Sequence, residues 1–261
     1  MIQATYQKKS IRLTHVWFAG EDEVTRLLQS PPKTDILFFH AVRYRESAFS
    51  FLKAHQESLI KTIPDSEDAV WATYGKHLKS YIKRGQREGS QIRIYRAGQI
   101  TGELLNTCAD LYEQMKAAKG IPDTFNRGLA ECYVREDALV IVMAYVEDKP
   151  VGFNAYIADD SHFRAWLTAF AFREEEFDAQ VVSRAHQLLE WETMRYCCQS
   201  GITSYDFGGI SSFEAPNGID KFKMTFAKEG QRVAYDNYLV GVSLFGKAAV
   251  IGYKLMNKFR R

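Results

Sequence analysis

Residues 11–18 (Ile-Arg-Leu-Thr-His-Val-Trp-Phe) alternate apolar and polar side chains, and this period of two predicts a half-buried strand. Residues 21–28 then take up helical spacing and stop at Pro31-Pro32. An apolar strand is expected at 35–39, followed by a loop carrying His40, Arg43, Tyr44 and Arg45, where ligand contact and a solvated polar cluster both fit. Residues 49–63 give a mixed signal, because Phe51, Leu52, Leu59 and Ile60 are spaced for a helix while the last few residues can extend. Pro64-Asp65-Ser66 announces one helix over 67–86, with Val70, Trp71, Tyr74 and Leu78 on its apolar stripe. Its far side carries Lys76, Lys79, Lys83, Arg84 and Arg87; Gly85 is expected to interrupt its end and Gly89 to terminate it. That basic face reads either as solvated surface or as a contact for phosphate.

Further along, a strand is predicted at 91–96 and helices at 104–118 and 125–134, the second capped by Thr124. Apolar strands follow at 139–146 and 151–157, joined by hairpin chemistry in Glu147-Asp148-Lys149-Pro150, and a third at 163–172. Strands bracketed by helices in this order imply an α/β layer with a mixed sheet. On a wheel of the helix at 178–200, Val181, Val182, Ala185, Leu188, Leu189 and Tyr196 share one face, and Glu192 falls inside it with Arg195 beside it. A carboxylate there must be paired, protonated or facing a cavity. It reads either as an i,i+3 partner of Arg195 or as a pocket acid whose raised pKa suits a general base.

The stretch 201–230 combines a strand at 202–207 that stops at Gly208-Gly209, a polar loop, and a brief helix holding Phe222 and Lys223. Paired glycines after a strand make a turn, and they also let a ligand approach the main chain. After a strand at 233–240, residues 242–261 place Phe245, Ala248, Ala249, Gly252, Leu255, Met256 and Phe259 on one side and Lys247, Lys254, Lys258 and Arg261 on the other. The protein's own core, a partner groove and an anionic membrane surface all suit such a helix.

Composition narrows the function classes. With 34 basic against 32 acidic residues, no global field points to nucleic acid, so any such contact must come from a local patch. The four cysteines (Cys108, Cys132, Cys197, Cys198) lack metal-ligand spacing and read as buried thiols. No P-loop, nucleophile elbow or His/Cys metal cluster is present in the sequence, which argues against covalent and metal mechanisms. Without a secretory h-region or a bilayer-length apolar run, a cytoplasmic location is expected.

Leu188-Leu189-Glu190-Trp191, Gly201, Tyr205-Asp206-Phe207-Gly208-Gly209, Gly218-Ile219 and Phe222-Lys223 stand in an order that resembles the Fem-type aminoacyltransferases and related acetyltransferases, a branch of the GNAT superfamily. The resemblance runs from about residue 60 to 238 and is specific in its last third. It implies a GNAT-like mixed sheet over 91–261, ending in the helix at 242–261, after a smaller α/β subdomain over 1–90. It also implies an N-acyltransferase that takes its acyl group from acyl-CoA or aminoacyl-tRNA, with no tightly bound cofactor. The implied acceptor is an amino group on a cell-envelope precursor, such as an amino sugar or a peptidoglycan-type peptide.

Classical GNAT enzymes hold pyrophosphate on a Gly-rich loop opening the central helix. Here the corresponding loop, 172–178, has no glycine and three glutamates, which oppose an anion and resemble the Fem-type branch. By resemblance, Lys223 is the expected oxyanion donor, with Phe222 packing beside the donor substrate. Asp206 either orients the acceptor amine or caps the glycine turn. Glu192 is the candidate base. Tyr205, Gly208, Gly209, Lys83 and Arg84 complete the expected substrate contacts. The competing reading is a non-catalytic GNAT-like module that binds an anionic ligand through 76–87. Lys223 and Glu192 in one cleft would favour the enzyme. Weak, reversible attachment to anionic bilayers at the inner face of the membrane is expected from the last helix.

Overall fold

The computed structural model describes residues 1–42, 52–172 and 176–258. Arg43, Tyr44, Arg45, the glutamates at 174 and 175, and Phe259 and Arg261 lie outside the described residues. Ten strands form one sheet in the order β1-β2-β3-β10-β4-β9-β8-β7-β6-β5. The strands are β1 (Ile2–Lys8), β2 (Ile11–Trp17), β3 (Ile36–Val42), β4 (Leu52–Thr62), β5 (Gln91–Arg96), β6 (Leu139–Val146), β7 (Lys149–Ala158), β8 (His162–Phe170), β9 (Ser204–Ile210) and β10 (Gln231–Gly241). Pairing is antiparallel except between β2 and β3 and between β8 and β9, so the sheet is mixed, as the element order predicts. The helices are α1 (Glu21–Gln29), α2 (Glu67–Ala72), α3 (Lys76–Arg87), α4 (Gly102–Ala118), α5 (Arg127–Arg135), α6 (Ala179–Gln199), α7 (Gly218–Phe226) and α8 (Leu244–Lys258).

Both sheet faces are covered, and β6 shows why its sequence is almost wholly apolar. Val140, Val142 and Ala144 enter the core under α2, α3 and α6, while Leu139, Ile141 and Met143 enter the core under α4 and α5. A strand buried on both sides loses the polar alternation of a half-exposed one. One sheet also runs through both expected segments. Strand β10 returns between β3 and β4, and Leu59, Ile63, Val70, Leu78 and Ile82 share a core with Val182, Leu188 and Tyr205.

Where local pattern and structure differ, a long-range partner decides. Residues 52–62 are strand β4, not the helix that part of their spacing suggests, because β4 lies between β10 and β9 and pairs with both. Strand β1 escapes notice because its hairpin turn uses Lys9 at φ 57° in place of the usual Asn-Gly. The helix expected at 67–86 is two helices. Lys61, buried on β4, donates to Thr73 Oγ1 at 2.8 Å and to the Phe226 carbonyl at 3.0 Å, tying the break between α2 and α3 to the sheet. Helix α3 runs through Gly85, which packs on the Arg184 carbonyl instead of interrupting it. Asn126, not Thr124, caps α5, accepting from the Leu129 amide at 3.2 Å.

Candidate active site

Strands β8 and β9 run parallel only briefly. Pairing links His162, Phe163 and Arg164 to Ser204, Tyr205 and Asp206 and ends there. Both strands continue beyond that point, to Phe170 and Ile210, and a cavity of about 530 Å³ occupies the gap between them. Strand β9 therefore does not stop at Gly208-Gly209 but passes through them, held on its other edge by β4 with a register shift between Ser58 and Ile60.

Asp206 organises this divergence. Its carboxylate pairs with the buried Arg164 guanidinium and accepts from the Gly208 amide at 2.8 Å, while Ser58 Oγ lies 2.5 Å away. Gly208 has φ 74°, and a Cβ there would sit 3.1 Å from the Ala165 carbonyl oxygen across the gap, so a larger residue would be strained. Of the two roles expected for Asp206, the geometry supplies the turn cap, with an ion pair in addition.

Helix α7 brings in Lys223. Asn217 accepts from the Ile219 and Asp220 amides while Asp220 accepts from the Asn217 amide, a reciprocal cap that fixes the first turn. One turn on, Lys223 lines the cavity and donates to the Gly209 carbonyl at 2.7 Å. Burial lowers its pKa from the ordinary lysine value, opposed by the charges of Glu190, Asp220 and Asp206. Phe222 also lines the cavity and stacks on His186 at 4.2 Å; Phe170 stacks on the other face of that imidazole at 4.0 Å. Burial there pushes His186 down to about 3, so it is neutral.

The acid facing the cavity is Glu190, not Glu192. Glu190 is buried, and burial raises its pKa to about 7 against the opposing hydrogen bonds and the Lys223 charge. Tyr205 Oη donates to it at 2.7 Å and Asn154 Nδ2 at 2.8 Å. Tyr205 is thus a buried support behind the cavity and does not line it. Glu192, two residues on, projects about 200° around the helix. It accepts from Arg195 Nη1 at 2.8 Å, and Arg195 also binds Glu67 at 2.6 Å. Burial raises the Glu192 pKa as well, with Arg195 opposing. Its i,i+3 pairing is the reading the structure shows. The wheel that sets Glu192 on a single apolar face passes over Glu190, because α6 is buried around most of its circumference, from Arg184 through Glu190 to Thr193. The available signal was a carboxylate set between Leu189 and Trp191 in an apolar helix.

Lys83 and Arg84 lie elsewhere, on the exposed side of α3. Arg84 pairs with Glu88 at 2.8 Å, and Lys83 borders a separate surface groove with Ser80, Gln86 and Arg87. His40, expected in a loop, belongs to β3 and lines the cavity, stacked on Trp17 at 4.1 Å and bonded to His15 at 2.7 Å. Burial first, then the His15 and Arg164 charges, holds His40 well below the ordinary histidine range. At the N-terminus of α6 the carboxylate of Asp178 accepts from the Gln180 amide at 2.7 Å, and Glu176 pairs with Lys149.

The family model described as acetyltransferase (GNAT) domain matches residues 74–224, more than half of the chain. Comparison with curated proteins finds no match. Among solved structures, FemX is similar with a TM-score of 0.59 at 10% identity, covering 90% of this chain and 83% of that one. The C-terminal domain (DUF2156) of a protein described as a lysylphosphatidylglycerol synthetase from Agrobacterium fabrum gives 0.58 at 13%, covering 97% and 85%. L-PGS from Bacillus licheniformis gives 0.54 at 14%, covering 95% and 84%. At these identities the likeness is one of fold.

Proposed function

Because the chain belongs to the acetyltransferase (GNAT) domain family, we propose that its cleft transfers an acyl or aminoacyl group from an activated donor to an amino group. The observation that carries this reading is the convergence of Lys223 and Glu190 at the gap between β8 and β9, each close enough to feel the other's charge. Acyl transfer to an amine needs a deprotonated nitrogen, a donor carbonyl held nearby, and positive charge where the oxyanion forms.

In the proposed mechanism the donor carbonyl enters the gap with its oxygen toward Lys223 Nζ, and Phe222 packs beside the acyl group. Glu190, with a pKa near neutrality, accepts the proton lost by the acceptor ammonium. The nitrogen attacks the carbonyl carbon, and negative charge gathers on the oxygen facing Lys223. Collapse then breaks the bond to the thiolate or ribose oxygen, which leaves with the proton carried by Glu190, and the carboxylate so freed takes the second proton that the nitrogen sheds as the amide forms. Tyr205 and Asn154 position that carboxylate and touch no reacting atom.

Two features favour an aminoacyl-tRNA, or a coenzyme A thioester bound in another way, over the classical coenzyme A mode. Asp178 caps the N-terminus of α6, its carboxylate already bonded to the Gln180 amide, and a carboxylate there opposes pyrophosphate. The basic face of α3 lies outside the cavity, where an extended RNA backbone reaches Lys83 and Arg84 more readily than a small ligand does. Such donors are made inside cells, which puts the reaction on the cytoplasmic side. An acceptor from the cell envelope, an amino sugar or a peptidoglycan-type peptide, follows the resemblance of residues 188–223 to the Fem-type aminoacyltransferases.

The test is incubation of the purified protein with acyl-CoAs or aminoacyl-tRNA and each acceptor class, with products followed by mass spectrometry. The reading expects an acceptor heavier by one acyl group, formed by the native chain and lost in Lys223→Ala. No product from any pairing, together with anion binding that depends on α3 alone, would sink it in favour of a binding module.

A further inference from the structure

Helix α8 is fixed to the sheet by a narrow seam. Ser243 Oγ donates to Asp35 Oδ1 at 2.7 Å and accepts from the Gly246 amide at 2.9 Å, so it ties the first turn of α8 to the start of β3. A Cβ on Gly246 would collide with the Asp35 carbonyl, so only glycine lets the helix approach this closely. Among its described side chains Gly246 and Val250 are the buried ones, and β10 is its main packing partner.

The remainder of the helix inverts the usual distribution. Leu244 is 89% exposed, Phe245 51%, Ile251 47%, Tyr253 47% and Leu255 52%, whereas the large apolar side chains of α6 are buried. At about 100° per residue, Leu244, Ile251 and Leu255 project within about 40° of one another, opposite the seam formed by Gly246 and Val250. Lys247 and Lys254 lie together along one edge of that strip, about 60–80° from Leu244, and residues 242–261 contain no aspartate or glutamate. An apolar strip with cations along one edge and no acid on its helix is complementary to a surface with an apolar interior and anionic headgroups.

We propose that α8 is an interfacial helix that lays Leu244, Ile251 and Leu255 into the headgroup boundary of an anionic phospholipid bilayer, with Lys247 and Lys254 on the phosphates. A second copy of the chain suits this face poorly. Fifteen residues at about 1.5 Å rise and about 10 Å width offer roughly 220 Å², far below the roughly 800 Å² per partner of a stable interface. An antiparallel symmetric pairing would also bring the two lysine rows together. No helix among the described residues is long and apolar enough to cross a membrane, so the attachment is in the surface plane. Because β10 carries Asn237 to the cavity and then leads into α8, a docked helix would hold the cleft close to lipid-linked molecules.

The full chain is sedimented with phosphatidylcholine vesicles, with and without phosphatidylglycerol, at low and high salt. Pelleting is expected with phosphatidylglycerol at low salt, with release at high salt. Each lysine near such a surface is worth about fivefold in partitioning, so the double change Lys247→Glu and Lys254→Glu should reduce binding at least tenfold. Leu244→Glu with Leu255→Glu should abolish it while leaving the thermal midpoint unchanged, since both side chains are exposed. Hydrogen exchange on the unaltered protein should show new protection over 244–258 with anionic vesicles. Absence of pelleting at low salt, pelleting that survives both double changes, or a dimer dissolved by Leu244→Glu would each overturn the proposal. None of these measurements depends on acyl transfer.

Discussion

Helices α6 and α8 are both rich in apolar residues, yet the tertiary structure uses them in opposite ways. Helix α6 is enclosed by β5–β8 and by α2 and α3, so even its polar residues Arg184, Glu190 and Thr193 are buried. Helix α8 rests on β10 by a glycine seam and turns its large apolar residues outward. Enclosure makes α6 a place where a carboxylate changes its chemistry, because desolvation raises Glu190 toward neutrality. Exposure makes α8 a surface. The same residue types surround a buried carboxylate at a cavity in one setting and form an exposed apolar face in the other.

Removing the enclosed acid should have the largest effect. Glu190→Gln is expected to lower kcat by about 10²- to 10⁴-fold, the usual worth of a positioned general base. The native rate should climb with pH through about 7 as Glu190 loses its proton. It should fall again below the ordinary lysine range, because burial lowers Lys223 and the oxyanion needs its charged form. The rising limb should vanish in the glutamine variant; a retained limb would assign the base elsewhere. Stability carries the same signature. Between about pH 4.5 and 7 the folded carboxyl holds a proton that the unfolded one has released, so the native chain should lose stability relative to Glu190→Gln across that window. Urea midpoints at both ends of the window measure it.

Next comes Lys223→Ala, expected to reduce kcat about 10²- to 10³-fold by deleting one oxyanion donor. Lys223→Arg should restore only part of the rate, since a planar guanidinium does not replace a compact ammonium. Full turnover by the alanine variant would end the assignment. The direct contrast between the helices is a pair of truncations. Leu189→Ala on α6 should cost about 2–5 kcal/mol through a buried cavity, and Leu255→Ala on α8 should stay within about 0.5 kcal/mol. Equal shifts in denaturant unfolding would mean that α8 is covered in solution. Smallest of all, Glu192→Gln should change stability by less than about 1 kcal/mol and leave kcat untouched, because its partner Arg195 is part-exposed and keeps Glu67. A large rate loss there would return Glu192 to the mechanism.

Much of this was legible before the fold was known. Element types over 91–170 and the helix at 178–200 follow from patterns of a few residues, while Lys223, Phe222, Gly208 and Gly209 are expected at the substrate by resemblance to the Fem-type branch, and the structure brings those four together. Glu190 escapes notice although it is a carboxylate flanked by Leu189 and Trp191, since nothing local distinguishes the cavity side of a helix buried around most of its circumference from its other buried sides. His40 and Trp17 reach the cavity only because β2 and β3 pair in parallel and lie alongside β10, which no short pattern encodes.

Local periodicity by itself determined the strands and helices over 91–170, the helix at 178–200, and that a glycine-marked strand precedes a helix bearing Phe222-Lys223, because those preferences act between neighbours in the chain. Tertiary structure alone decided the rest. It made 52–62 a strand by supplying partners on both edges, and it opened the cavity by ending the pairing of β8 and β9 at Arg164 and Asp206. It also gave Glu190 its near-neutral pKa and left α8 with its apolar face outward, since both depend on what surrounds a residue in space.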